Sequence, residues 1–267
     1  MNFKRIQTIF IVAFVILDLF LLASYAWGSQ PMVTNSHQNQ QVALRRQMRA
    51  DDIKLPLLSD QRQSGYYVLV TPDQNLVKQT QNLAPLKNAT IQENENLVTV
   101  TYDKPVVLNS KTTAPAKVAP ELTHQKRLVA GNHYLYHPDL STSKTLVYSQ
   151  ELQGRPLLDS AGELRIFRNA SGAITGYTQG RLSNSKLLRS RQPTISQLEA
   201  VNWLYKNNQL ANNSKVRWVK LGYTKLQCSD DQLIYVPAWV AEVKNQTSGA
   251  GHLLRVNAFR ENLIKVP

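Results

Sequence analysis

The feature that most constrains this chain is one continuous apolar run over residues 6–27, close to the start of the sequence. Asp18 is the only strongly polar residue between Ile9 and Ala26. Since an α-helix rises about 1.5 Å per residue, the stretch from Ile9 to Ala26 spans roughly 27 Å, close to the bilayer hydrocarbon core of about 30 Å. The run predicts a transmembrane helix over residues 6–27.

Basic residues flank this run on one side only, which predicts its orientation. Lys4 and Arg5 precede it, and the next basic residue is Arg45. Cytoplasmic flanks of membrane helices are enriched in Lys and Arg. We therefore expect a cytoplasmic N-terminus over residues 1–5 and an extracellular region after Trp27, in a single-pass protein of the cell membrane.

A cleaved signal peptide is the alternative to this anchor. Ser24, Tyr25 and Ala26 place small residues at the spacing that a signal peptidase prefers. The apolar region of a signal peptide is about 7–15 residues long, and the run is longer. It also carries Asp18, which a disposable targeting segment has no reason to keep. Both features favour a retained anchor.

Asp18 is the main candidate site residue. A carboxyl group in mid-bilayer costs a few kcal/mol, roughly, unless it is protonated, paired or placed against another helix. The alternative is a lone helix that shifts in the bilayer or protonates its acid. We predict instead that the face around Asp18 contacts a membrane partner by interhelical hydrogen bonding. On a helix this face comprises Ile11, Phe14, Val15, Asp18, Leu21, Leu22 and Tyr25.

Composition restricts the partners further. The formal charge is +13, which favours anionic partners such as nucleic acid, phospholipid headgroups or wall polymers. The predicted topology excludes nucleic acid, and dispersed basic residues also serve solubility. A single cysteine, Cys228, precludes an internal disulfide, and no pattern around it indicates a nucleophile.

The remaining sequence predicts an α+β class, with two antiparallel-sheet lobes and few helices. Residues 28–50 are polar and predict a stalk, with a short helix from Val42. Residues 51–185 predict a β-rich lobe, and a composition break over 183–192 predicts a linker. Within this lobe we expect a loop over 106–123 and strands over 66–71, 97–102, 128–137, 145–153, 164–169 and 173–181, with a hairpin turn at 169–172.

Residues 190–267 predict a C-terminal lobe made of one helix and a three-stranded antiparallel sheet. Thr194 and Gln197 have the spacing of a capping box at the start of the helix, and Asn207 lies at its end. The strands are expected over 215–227, 232–244 and 252–264. Pro237 inside the second strand predicts a sheet edge or a bulge.

Catalytic and metal-binding patterns are weak. Ser141 with Lys144, and Ser183 with Lys186, match the Ser-x-x-Lys spacing of penicillin-recognising enzymes, but no Lys-Thr-Gly accompanies them. His133 and His137, with Asp139 nearby, offer at most a weak metal site, because on a strand they would lie about 13 Å apart. We predict no enzymatic activity, no catalytic residues, no cofactor and no metal.

Two motifs resemble the YycI family, also called WalI. The segment Lys4–Leu22, KRIQTIFIVAFVILDLFLL, resembles the basic start and the T-I-F-I-x-A-F-x-I-L-D-x-F-L-like span of that family, whose aspartate falls on Asp18. Tyr235-Val-Pro-Ala-Trp239, followed after a turn by Arg255-Val-Asn-Ala-Phe259, resembles the family's C-terminal strand pair. Val240 departs from the family, which usually has a more hydrophilic residue there.

The resemblance implies a bitopic regulator without catalytic activity. YycI-like proteins act with a sister protein, YycH, and with the essential sensor histidine kinase WalK (YycG) of low-GC Gram-positive bacteria. Their transmembrane helices pack against those of the kinase and adjust its activity in wall metabolism. We therefore expect YycH-like and WalK-like partners. The alternative is an exported module that binds anionic wall polymers through its basic surface.

Overall fold

A computed structural model describes residues 11–22, 34–94, 96–108, 114–229 and 232–264. The chain divides into two compact units, Met1–Asp51 and Asp52–Pro267. In the first unit, residues 11–22 form helix α1 and Thr34–Ala50 forms helix α2. The predicted stalk is therefore helical already from Thr34, eight residues before the expected start at Val42.

The second unit contains two large antiparallel sheets. Among the described residues, sheet I has six strands, in the spatial order β3 (Ala89–Asn94), β4 (Leu97–Val106), β10 (Ile174–Gly180), β9 (Glu163–Arg168), β6 (Thr145–Ser149) and β5 (Leu135–Tyr136). Sheet II has five described strands: β11 (Leu182–Leu187), β2 (Val68–Pro72), β14 (Gln232–Asn245) and β13 (Ser214–Ser229) in this order, and β15 (Gly251–Asn257), which also pairs with β14. Antiparallel pairing throughout these sheets confirms the predicted α+β class.

Short elements complete the second unit. Strand β1 (Arg62–Gly65) pairs with β12 (Gln192–Ser196), and β7 (Glu151–Leu152) pairs with β8 (Arg155–Pro156). The described α-helices of this unit are α3 (Leu76–Gln81), α4 (Pro115–His124) and α5 (Gln197–Lys206). Lys54, near the start of the unit, forms an isolated parallel bridge with Lys215 in β13.

The core of sheet I lies on the face that α3 and α4 cover. Tyr148 and Tyr177 are fully buried there, together with Leu122 of α4 and Ile166 of β9. Sheet II has a separate core on one face, which includes Tyr223 and Tyr235. Buried aromatic rings of this size contribute much of the stability of such sheets.

Helix α4 overturns the expectation of a loop over 106–123. Pro115 is at the first turn, where a proline is tolerated, and Pro120 lies inside the helix. An interior proline costs about 3 kcal/mol. Burial of Val118 and Leu122 contributes about 1.5–3 kcal/mol each, which offsets that cost.

The capping box of α5 lies two positions after the predicted one. Ser196 Oγ accepts a hydrogen bond from Glu199 N at 3.1 Å, and Glu199 Oε2 accepts one from Ser196 N at 2.7 Å. Thr194 is instead buried in β12, which pairs with β1. Gln197, the other predicted box residue, donates to Val219 O at 2.7 Å.

Pro237 does not mark a sheet edge, because β14 has strands on both sides. One side of β14 pairs with β13 along its length. On the other side, β2 pairs with residues 233–235 and β15 with residues 238–244, so Pro237 lies in the gap between them. Its carbonyl accepts from Ala258 N at 2.9 Å. In an antiparallel strand, the N–H and C=O groups of one residue point to the same neighbouring strand. The N–H that proline lacks would therefore face this gap, and no hydrogen bond between β14 and β13 is lost.

The residues predicted as a linker, 183–192, contribute to β11 and to the start of β12. Strand β11 pairs with β2, which in turn pairs with β14. Sheet II therefore combines strands from both sides of the predicted boundary, and the predicted three-stranded sheet, β13–β14–β15, is part of it. Alternation in the short polar segment SNSKLLRS is too weak to reveal a strand from sequence.

Candidate functional site

The predicted partner-binding face is partly described, on helix α1. Its described members are all exposed: Ile11, Phe14, Val15, Asp18, Leu21 and Leu22. Tyr25 of this face, and the topology residues Lys4 and Arg5, lie outside the described residues. The helix thus brings Asp18 and its apolar neighbours together as the spacing predicts, and the assignment of a partner to this face stays a prediction.

Helix α1 is apolar on every face. Phe14 and Ile16 are two residues apart, so they lie on nearly opposite sides of the helix, and they are 60% and 62% exposed. A helix with apolar residues all round belongs in a protein core or a bilayer. No helix among the described residues is both long and apolar enough to cross a membrane. The predicted span over 6–27 extends beyond α1 at both ends, outside the described residues.

The serine of the first Ser-x-x-Lys pair is hydrogen-bonded to backbone groups. Ser141 Oγ donates to His137 O at 2.7 Å and accepts from Val147 N at 2.9 Å. Its hydroxyl proton is therefore engaged by a backbone carbonyl, and Lys144 is exposed. A nucleophilic serine needs a base that accepts its proton, and a backbone carbonyl cannot serve as one.

The second pair is also held by backbone contacts. Ser183 Oγ donates to Thr71 O at 3.4 Å, between β11 and β2. A register shift separates Ser183 from Lys186, which is exposed. Neither pair thus has the geometry of an activated nucleophile.

The two histidines considered as metal ligands lie in different segments. His133 is exposed in a 3₁₀ turn, Gly131–His133, whereas His137 follows β5 and is half-buried. His137 Nε2 lies 2.8 Å from Ser149 Oγ. The strand predicted over 128–137 is thus shorter than expected. Among the described residues, no group of three or more His, Cys, Asp or Glu side chains is placed to hold a metal ion.

A cavity of about 370 Å³, not predicted from the sequence, lies between the two large sheets. Strands β6 and β9 of sheet I form one wall, and β13, β14 and β15 of sheet II form the other. Its charged lining residues are Asp139, Glu163, Arg165, Arg217, Glu242, Lys244 and Arg255. The strands of the two walls are roughly 50 to 110 residues apart in sequence, so no local motif indicates the cavity.

Most charges in this cavity are paired. Arg165 Nε lies 2.9 Å from Glu163 Oε1 on the sheet I wall. On the sheet II wall, Glu242 lies 3.4 Å from both Arg217 Nη1 and Lys244 Nζ. Asp139, which also lines the cavity, pairs with Lys220. Arg255 is the lining cation for which no ion pair exists among the described residues.

Comparison with known proteins identifies the family. The family model described as "YycI protein" matches residues 32–259. The chain belongs to the YycI family. This match contains both members of the C-terminal motif, and β14 and β15 indeed pair there, with Ala238 opposite Asn257. The motif Lys4–Leu22 precedes the matched residues. YycI membership implies a regulatory, non-enzymatic protein with a membrane-anchored extracytoplasmic region.

Other comparisons add little about this YycI protein. No curated protein matches it significantly. A crystal structure of an uncharacterized protein from Eubacterium rectale is 9% identical, with 80% of this chain and 90% of that chain covered and a TM-score of 0.46. The C-terminal domain of Bacillus megaterium YpeB is 11% identical, with 74% and 99% covered and a TM-score of 0.36.

Proposed function

We propose that this YycI-family protein is a membrane-anchored extracytoplasmic regulator of a WalK-like sensor histidine kinase. It acts with a YycH-like partner, through transmembrane and extracellular contacts, and so controls cell-wall metabolism. The observation that carries this proposal is the family match over residues 32–259. The structure supports it where the two Ser-x-x-Lys serines are tied to backbone groups rather than to a base.

Helix α1 supports the membrane part of the proposal. Exposed apolar side chains on every face require apolar surroundings, which a bilayer provides. Asp18 is then the single ionisable group of α1 in those surroundings. Its favourable partner is a polar group of another transmembrane helix, because lipid offers no hydrogen bonds.

The test of this role is substitution of Asp18 in the full-length chain. We expect Asp18→Ala and Asp18→Leu to change the output of the kinase, measured by a reporter of its response regulator, without altering the amount of protein in the membrane. Ile16→Ala is the matched control, because at about 100° per residue Ile16 lies on the opposite side of the helix.

Co-purification from membranes distinguishes the possible contacts. The full-length chain is compared with a chain in which residues 6–27 are replaced by an unrelated polyleucine span. Loss of the kinase with the replaced span assigns recognition to the helix, and retention assigns it to the extracellular region. Wild-type output from both Asp18 variants, together with no kinase captured by either chain, would contradict the proposal and favour the wall-polymer module.

A further inference from the structure

The cavity between sheets I and II has the features of a binding site for a small organic anion. We propose that it binds a molecule that combines one carboxylate with an apolar body, such as the C-terminal end of a short peptide, and that Arg255 holds the carboxylate. The proposal concerns the second unit alone and does not depend on the kinase partnership. It rests on the contacts of Arg255, the pairing of the other charges and the lining of the cavity.

Arg255 is a half-buried guanidinium with few hydrogen bonds. Its Nε and Nη2 atoms both approach Leu158 O at 3.4 Å, longer than the usual range of about 2.7–3.2 Å. No described residue accepts a hydrogen bond from Nη1. A guanidinium has five donors, so most donors of Arg255 have no acceptor among the described residues. Burial lowers the pKa of Arg255, although the charges of Asp159 and Glu163 oppose this.

Among the charged residues that line the cavity, Arg255 is the cation without a carboxylate partner in an ion pair. Both carboxylates in the walls, Glu163 and Glu242, already have cationic partners, and their side chains are only 12% and 14% exposed. A ligand cation would have to displace an arginine or a lysine from them. A ligand anion at Arg255 would instead pair with a charge that has no carboxylate partner among the described residues.

A carboxylate suits this site better than a phosphate. A guanidinium binds a carboxylate through two parallel hydrogen bonds, and the two unit charges cancel. A phosphate monoester carries a charge of about −1.5 to −2 at neutral pH, so that part of it would remain uncompensated in a half-buried site.

The rest of the cavity is suited to an apolar group. The apolar lining residues are Leu140, Val147, Leu157, Leu158 and Leu253. In the register of sheet II, Leu253 is two residues from Arg255 on β15, so both side chains are on the same face of the sheet. The volume of about 370 Å³ lies within the range of small-ligand sites, about 300–1,000 Å³.

The test uses full-length protein in detergent and isothermal titration calorimetry with a matched pair of probes. N-acetyl-Ala-Leu carries a free carboxylate, and N-acetyl-Ala-Leu amide differs only in lacking it. We expect the acid to bind at least about tenfold more tightly than the amide, and Arg255→Gln to remove this preference. Inorganic phosphate, the third probe, is expected to bind more weakly than the acid.

Two further variants complete the design. Arg189→Gln removes a cation that lies over the Tyr67 ring and does not line the cavity, so it should bind the acid like wild type. Thr145→Trp fills the cavity from β6 without changing its charge and should abolish binding, which decides the matter if Arg255→Gln does not fold. Equal affinity for acid and amide, tighter binding of phosphate, no binding of the acid, or unchanged binding by both cavity variants would overturn the proposal.

Discussion

His137 is a half-buried residue whose ionisation depends on the fold. Its backbone N–H donates to Val147 O at 2.8 Å, and its ring lies 2.8 Å from Ser149 Oγ. Burial lowers the pKa of His137, and the nearby Lys220 lowers it further, while Asp139 acts in the opposite direction. The folded protein therefore favours the neutral ring.

The pKa shift of His137 predicts a pH dependence of stability. In the unfolded chain a histidine has a pKa of about 6.5, and folding lowers this value. Below about pH 6.5 the unfolded state thus binds more protons, so the free energy of unfolding should decrease as the pH falls, down to the folded pKa. We expect His137→Gln to remove this decrease in denaturant titrations between pH 5 and 8. The exposed His133→Gln should retain it, and an unchanged slope in His137→Gln would contradict the assignment.

At the scale of single residues, sequence patterns predict the residue types of a motif more reliably than its positions. The sequence predicts a capping box at Thr194 and Gln197, and the structure has one at Ser196 and Glu199. Both segments satisfy the local pattern, and pairing of β12 with β1 decides between them. Such pairing involves residues more than a hundred positions away, which no local pattern contains.

At the scale of elements, β10 shows how closely neighbouring strands approach. Strand β10 lies between β4 and β9, and its register with both shifts between Ile174 and Gly176. A Cβ atom at Gly176 would lie 2.2 Å from Val100 O of β4. A glycine is therefore required here by the backbone of the adjacent strand.

We predict that Gly176→Ala destabilises the protein by about 1–3 kcal/mol or more, because sheet I must move to accept the methyl group. Gly154→Ala is the matched control. A Cβ atom at Gly154 would meet nothing within 4 Å. Because Gly154 has a φ of +72°, the Gly154→Ala variant measures the cost of backbone strain alone, about 1–2 kcal/mol. Chemical denaturation measures both changes. A smaller effect for Gly176→Ala than for Gly154→Ala would contradict the close approach.

Strands are easier to predict from the sequence than the strands with which they pair. The alternating segments around 97–102, 164–169 and 173–181 are strands, because a period of two is visible within each segment. The sequence does not predict helix α4, because its two prolines are local signals against a helix, whereas burial of Leu122 is a property of the assembled core.

At the scale of the whole molecule, sheet II joins distant parts of the second unit. Strand β14 pairs with β2 through Leu233, Ile234 and Tyr235. Tyr235 is fully buried in a core that also contains Val68 and Val70 of β2. Residues 190–267 alone would expose this core and lose the pairing.

We therefore predict that a fragment of residues 190–267 does not fold by itself. Its circular dichroism should lack a cooperative thermal transition, while the full-length chain retains one. Adding residues 52–189 as a separate fragment should restore the transition if the missing strands are the cause. A cooperative transition in the isolated C-terminal fragment would contradict this prediction. The cavity belongs to the same scale, since its two walls are brought together only when both sheets have formed.

The bridge at Lys54 has a mechanical consequence for a tethered protein. Lys54 N donates to Ser214 O, and Val216 N donates to Lys54 O, each at 2.9 Å. A tensile force transmitted along the chain towards Asp52 would therefore load the hydrogen bond from Gln246 Nε2 to Asp52 O, at 2.7 Å, and then the two bonds of Lys54, which lead to the beginning of β13. Sheet II, which contains β13, would bear the load before sheet I. A pull on the tether is thus delivered to the sheet whose β14 and β15 form one wall of the cavity.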